Sequence, residues 1–289
     1  ATIQSLAVEV AGRLRLERSE ELQTALAAAG ERALDAELAE EERIAALKLL
    51  RSAPFEVVVD MTGELLNPAQ PPAVQVAAVE TLSSFGDPRV SEVLLADFIR
   101  FTPRLQQAVL TAVFARENRL AGLLDAIEEE TLRPTALDAA QRLRLSENRD
   151  PALRERARAL LGSGATRKER EEVLQRYVTA LRDAHDVKHG GKVFDEQCAK
   201  CHKLDGRGFE VGPDLGSITR RADETLVSDI LDPAREITVG YQNYSVVTQD
   251  GRIFTGVLGA ETATSITLRQ EEGKEETILR RDIDEMEAS

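Results

Sequence analysis

Both cysteines of the chain stand two residues apart in Cys198-Ala199-Lys200-Cys201, and His202 follows directly. Two thiols so spaced on one turn of backbone can each add to one vinyl group of a haem, which sets the next residue beneath the iron. The CxxCH order is the attachment signature of c-type haem, and histidine is the common proximal ligand. The same residues admit other chemistry. Thiolates and imidazole bind zinc, but a structural zinc site needs four ligands. These residues supply three at most, with His185 and His189 the nearest candidates for a fourth. A thioredoxin-like dithiol needs a βαβ setting and a helix N-terminus to lower the thiol pKa, and the flanking sequence offers neither. Two buried cysteines with an incidental histidine would leave the glycine-rich stretch that follows, through Gly206, Gly208, Gly212, Pro213 and Gly216, without a reason.

The bulk properties narrow the partners. A net charge of −14 argues against nucleic acid, whose phosphates would be repelled. No run approaches the roughly 18 apolar residues of a membrane span. No charged-then-apolar leader follows Ala1, so no export signal is visible, and the absence of an initiator Met suggests a processed chain or a fragment. Aromatic residues make up only 4% and Trp is absent, which suits a Leu/Ala-rich helical fold better than a β-rich one. The acidic runs Glu128–Glu130 and 271–276 read as solvated faces or turns, not as acid–base dyads.

The elements that must position the thiols fall into two regions. Over residues 1–182 strong helix formers dominate, and a motif of Ala and Leu recurs at Ala45, Ala77, Ala108 and Ala139. A period of roughly 31 residues marks stacked helical hairpins, here HEAT-like in pattern and length. Proline-bearing breakers at 67–72, 86–88, 102–103, 133–134 and 149–151 mark the boundaries, since proline stops the preceding helix. An irregular helical bundle is the alternative. The second region spans 187–289. Gly190 and Gly191 break the helical run and a short helix leads into Cys198. A further helix is expected over 222–233, capped by Asp223 and stopped by Pro233. From Tyr241 the period becomes two. Strands are expected over 242–249, 252–258, 264–270 and 275–281, a β-meander with a tight turn at Asp250-Gly251 and a looser one over 271–276.

The stretch GGKVFDEQCAKCH resembles the N-terminal helix of a cytochrome c, and GRGFEVGPDLGSI the loop that follows the haem motif in many of them. Together with ILDPAREITVGYQNYSVVTQDGRIFTGVL, the region resembles the planctomycete-type haem-binding domain. That resemblance covers about residues 187 to 289. It implies a mainly α, HEAT-like solenoid followed by a cytochrome c-like domain with a β-rich insertion over about 241–281. It implies one covalently attached haem c held by Cys198 and Cys201, His202 as proximal iron ligand, and Pro213 turning its carbonyl to the imidazole. Tyr241 matches a recurrent position, where packing is the expected role. The implied activity is one-electron transfer, in a module more than in a self-contained enzyme. The implied partner is a redox protein or a fused dehydrogenase domain, and the implied location is extracytoplasmic.

The family pattern continues to a Met-Pro whose Met is the distal ligand, and here only Met61 and Met286 occur. Met61 is expected in the helical core. Met286 is a possible distal ligand, although its acidic surroundings resemble the segment before the usual Met. The other expectations are a ligand further along a longer chain, or a distal site that is open or filled by His185 or His189; exposure at a linker is the plainer role for both histidines. A haem-based ligand sensor and a zinc-stabilised repeat scaffold are the rival functions. A Met-Pro beyond Ser289 would favour electron transfer over sensing.

Overall fold

The computed structural model describes residues 20–161, 164–181, 186–218, 221–231 and 240–288. The first part is a succession of helices: α1 (Glu20–Leu34), α2 (Glu40–Leu49), α3 (Phe55–Leu65), α4 (Pro72–Ser84), α5 (Val90–Leu95), α6 (Pro103–Phe114), α7 (Leu120–Glu128), α8 (Ala139–Ser146) and α9 (Pro151–Leu161). The four recurring alanines lie on α2, α4, α6 and α8. Helix α4 packs against both α2 and α6, while α1 meets α3, and α7 meets both α5 and α9. Alternate helices therefore line up in two layers, and Leu47, Val74, Leu82, Leu94, Val109, Leu120 and Leu124 are fully buried between them.

A second periodic feature supports the stacking. Two residues before each of the first three repeat alanines stands a long polar side chain turned inward. Arg43 Nε donates to the Ala33 carbonyl at 2.9 Å. Gln75 Nε2 donates to Leu66 at 3.2 Å and Asn67 at 2.8 Å, and Gln106 Nε2 to Phe98 at 3.2 Å. Each donates to carbonyls in the last turn of the preceding helix or in the loop just after it. The prolines do more than stop helices. Pro72, Pro103 and Pro151 are each the first residue of the next one, where the missing N–H costs nothing and the fixed φ suits the helix.

Beyond α10 (Gly164–Ala180) come α11 (Val187–Gln197), the hairpin of β1 (Lys203–Leu204) and β2 (Arg207–Gly208), and α12 (Asp223–Leu231), which packs on α10. Two expectations are corrected here. Gly190 and Gly191 lie inside α11 and do not break it. The helix starts three residues earlier, where the Asp186 carboxylate accepts from the amides of Lys188 and His189, a cap worth about 1 kcal/mol that offsets part of the cost of the two interior glycines. Asp223 is not a cap but the first helical residue. The Ala222 carbonyl accepts the first helical bonds, from Thr225 and Leu226, and Asp223 lies in the first turn where its charge suits the helix dipole. Pro233 lies outside the described residues.

The expected meander is present as β3 (Asn243–Thr248), β4 (Ile253–Glu261), β5 (Ser265–Arg269) and β6 (Glu275–Leu279). Gly251 takes φ 80° at the β3–β4 turn. A fifth strand, β7 (Ile283–Ala288), lies in the acidic segment around Met286 for which no strand is expected from sequence, and the antiparallel order is β6-β5-β4-β3-β7. A bulge explains the difference. Thr248 pairs with Ile283 but Val247 with Glu285, so Asp284 is the extra residue. Ile283 and Met286, three apart, thus reach the same buried face, which breaks the two-residue alternation.

The sheet core comprises Tyr244, Val246, Ile266, Leu268, Ile278, Ile283 and Met286. It seats on two loops of the helical part. Tyr244 donates its hydroxyl to the Phe101 carbonyl at 2.9 Å, between α5 and α6. Arg280 Nη1 donates to Pro68 at 2.6 Å and Gln70 at 3.3 Å, between α3 and α4. Its Nη2 meets Glu261 Oε1 at 2.6 Å, with Arg280 1% exposed and Glu261 12%. The sheet thereby bridges two successive helix pairs.

Candidate functional site

Helix α11 ends at Cys198, whose amide is bonded to the Phe194 carbonyl at 2.8 Å. The chain then makes one further turn, with the amides of Cys201 and His202 both returning to the Cys198 carbonyl at 3.1 and 2.8 Å. That turn sets the two thiols on one short arc. Both are half-buried and unoxidised. Burial pushes the Cys201 thiol up, the charge of Glu271 adds to the rise, and Lys200 opposes it.

The loop after the motif folds back over it. The β1–β2 hairpin turns on Asp205 (φ 49°) and Gly206 (φ 79°), both left-handed as a two-residue turn of type I′ requires. Phe209 N–H then donates to the Ala199 carbonyl at 3.1 Å, and Val211 and Gly212 both donate to the Cys201 carbonyl, at 3.0 and 2.7 Å. Arg207 closes the hairpin against α11, paired with Asp195 at 3.0 Å and lying over the Phe194 ring.

This clamp brings His202 and Pro213 together. His202 Nδ1 lies 2.8 Å from the Pro213 carbonyl oxygen. A carbonyl can only accept, so Nδ1 carries a proton, and in the neutral ring that makes Nε2 the nitrogen with the lone pair, the tautomer a metal-ligating histidine needs. Gly212 is the cradle for the ring. A Cβ there would lie 2.6 Å from His202 Cε1 and 2.9 Å from Nδ1. In the sequence Gly212 is one of several glycines in the stretch after His202; its requirement here is close approach to an imidazole. Gly208 is needed twice over, for its φ of 83° and because a Cβ would strike the backbone of Ala199 and His202.

A Gly212→Ala substitution should therefore push the imidazole off Pro213. We expect the hydrogen-bonded Nδ1 proton, protected in the parent protein, to be lost from the NMR spectrum. The fold should be retained at a cost of about 1–3 kcal/mol, as overpacking usually brings. An unchanged Nδ1 signal would refute the cradle.

The other ligand candidates fall elsewhere. Met286 is fully buried in the sheet core, opposite Val246. Met61 packs against the helical core beside Gly30, and His189 is exposed on α11. His185 lies outside the described residues. Among the described residues no group of three or more His, Cys, Asp or Glu side chains is placed to hold a metal ion. Nor, among them, is any helix long and apolar enough to cross a membrane.

Residues 187–252 match the family model Cytochrome c. This region is a cytochrome c-like domain. The match runs from the first residue of α11 to the turn after β3, so the thiols, His202 and Pro213 all lie within it. No curated protein matches the chain. The domain implies haem and supports haem-based electron transfer, and the residues present suit that group. They offer two free thiols one turn apart and an imidazole with a fixed tautomer. Beside Cys201 and Val211 a cleft of about 440 Å³ opens towards the sheet.

Sequence reasoning missed the ties between the cytochrome c-like domain's motif and the sheet. Glu272 N–H donates to the Lys200 carbonyl at 2.9 Å, and Gly273 lies so close to the Phe209 ring that a Cβ would meet it at 2.8 Å. Arg269 Nη1 donates to the Glu210 carbonyl at 2.8 Å. The guanidinium also lies over the Tyr241 ring, 6.0 Å from its centroid, which gives Tyr241 a packing role. No short motif announces these contacts, because the acceptors are backbone carbonyls that any residue type would offer.

Proposed function

We propose that Cys198 and Cys201 hold one haem through two thioether bonds and that His202 Nε2 is its proximal iron ligand. The observation that carries this reading is the 2.8 Å contact of His202 Nδ1 with the Pro213 carbonyl. It fixes the ring in the Nδ1–H tautomer, which leaves Nε2 as the nitrogen free to ligate, and it orients the ring. Bound there, the haem supplies an Fe(III)/Fe(II) couple, and the chain needs no general acid or base of its own.

Residues 1–182, in this reading, are a HEAT-like solenoid that serves as a scaffold, and 187–289 are a haem domain of the planctomycete type whose β-rich insertion reaches to β7. The module works outside the cytoplasm within a larger redox enzyme, passing electrons to or from a partner protein or a fused dehydrogenase domain. Met286 is a core residue of the sheet. Drawing it out to an iron would forfeit its burial, about 1.5–3 kcal/mol for such a side chain. Its commitment to the core argues against Met286 as the sixth ligand, and a position open to a small exogenous ligand is the second reading.

The test is a visible spectrum of protein produced in cells that attach haem c. The Soret band should stay with the polypeptide through denaturation and acid–acetone extraction, and carbon monoxide should shift the reduced spectrum. No polypeptide-bound Soret band, in cells that load a control cytochrome, sinks the haem reading. A bound haem blind to carbon monoxide overturns the open sixth position and returns Met286 to consideration.

A further inference from the structure

We infer that Arg269, on the sheet, is a positioning residue for His202. The inference rests on the proposed haem ligation for its redox consequence, but its structural half stands on the chain alone. Arg269 sits opposite Val257 in the β4–β5 ladder, just before the bulge that leaves Gly259 unpaired. Of the glycines of β4, Gly259 gives its side chain a path and Gly256 makes room for its backbone. A Cβ at Gly259 would meet the Arg269 side chain at 2.7 Å, and one at Gly256 would meet the Arg269 carbonyl at 2.7 Å. The side chain therefore runs close over β4, lies over Tyr241 and ends on the Glu210 carbonyl.

Glu210 is the hinge of the loop that holds the histidine. The next two residues, Val211 and Gly212, donate to Cys201, and the one after them, Pro213, accepts from the imidazole. Lys203 holds the Glu210 side chain at 2.8 Å, but the two side chains are 39% and 61% exposed, and such pairs are worth little. The Arg269 bond is charge-assisted and reaches the loop backbone itself, so it fixes where Pro213 stands. A mobile loop would lengthen the Nδ1 to Pro213 bond and make the imidazole a poorer donor to iron. Since a more basic imidazole favours Fe(III), losing Arg269 should raise the reduction potential.

The experiment uses Arg269→Met, Arg269→Lys and, as a control that loosens the sheet core without touching the loop, Ile266→Val. In the haem-free chain, amide hydrogen exchange at Val211 and Gly212 should accelerate on the order of tenfold in R269M, the lower end of what loss of a hydrogen bond from a charged donor brings. It should be largely restored in R269K and unchanged in I266V. In the haem-loaded protein, the reduced-to-oxidised ratio at a fixed ambient potential should rise about threefold in R269M and return in R269K. Unaltered exchange and potential in R269M overturn the inference. So does a change that I266V reproduces or that R269K fails to rescue, because that reports general loosening. If the parent protein takes up no haem, the proposed ligation fails, while the exchange experiment still decides whether Arg269 holds the loop.

Discussion

A variant carrying serine at both Cys198 and Cys201 is expected to retain its fold and to lose all polypeptide-linked haem. The extracted chain should show a Soret absorbance at background. A hydroxyl is far too weak an acid and nucleophile to replace a thiol in adding to a vinyl group, so the loss should be complete. The stability cost should be small. Both side chains are half-buried, the exchange of sulfur for oxygen leaves no large cavity, and substitutions at such sites usually stay within about 1 kcal/mol. Thermal unfolding of the haem-free parent and variant should therefore nearly superimpose. If the double variant still carries haem after acid–acetone extraction, the attachment assigned to these thiols is wrong. The environment of Cys201 adds a second expectation for the same measurement. The thiolate is the reactive form, and burial beside Glu271 holds this thiol protonated. Attachment should accordingly be poor on mixing free haem with the purified chain, and efficient only in cells with attachment machinery.

The second large effect is expected far from the thiols. Arg280→Met removes one half of an ion pair that water barely reaches. Glu261 would be left buried and unpaired, and the carbonyls of Pro68 and Gln70 would lose their donor. Breaking a buried pair in this way costs about 3–5 kcal/mol. The exposed pair at the same interface makes a useful contrast. Arg100 and Glu287 meet at 3.8 Å with about half of each side chain in water, so Arg100→Met should cost less than about 1 kcal/mol. Urea unfolding followed by tyrosine fluorescence is suited to the comparison, since the chain has no Trp and Tyr244 sits in this interface. The double variant Arg280→Met, Glu261→Leu should recover much of the loss, because the stranded charge is gone. A cost for R280M as small as that for R100M would mean that the interface owes little to the buried pair.

How much of this could be read in advance depended on how local each cause was. The helical region was legible because its determinants repeat: alanines at fixed intervals, leucines between them, prolines at the joints. The attachment motif was legible because five consecutive residues carry it, and the His202–Pro213 contact because the whole loop resembled a known one. Strand β7 was not, since the bulge at Asp284 destroys the alternation by which a strand is recognised, and its acidic residues resemble a tail. The start of α11 was misread because two glycines are a stronger local signal than one capping aspartate. Asp205-Gly206 was readable by the same rule that found Asp250-Gly251. The four-residue span it turns is simply too short to look like a hairpin.

The seating of the sheet has a consequence for the order in which the molecule is assembled. Bonds between neighbouring helix pairs close within a few tens of residues, as Arg144 to Phe114 does across 30. By contrast, the hydroxyl of Tyr244 reaches back across 143 residues and the guanidinium of Arg280 across 212. Contacts of such high contact order are slow to form, because the entropy of closing the long loop must be met before the bond returns anything. On a ribosome or emerging from a translocation pore, the helical array can form as it appears, while the seating of the sheet must wait until β3 to β6 and Arg280 have emerged. Until then the loop from Phe209 to Pro213 has no sheet to rest on, and the two thiols are at their most accessible. The architecture therefore gives the attachment chemistry a natural interval that closes with the last long-range contact.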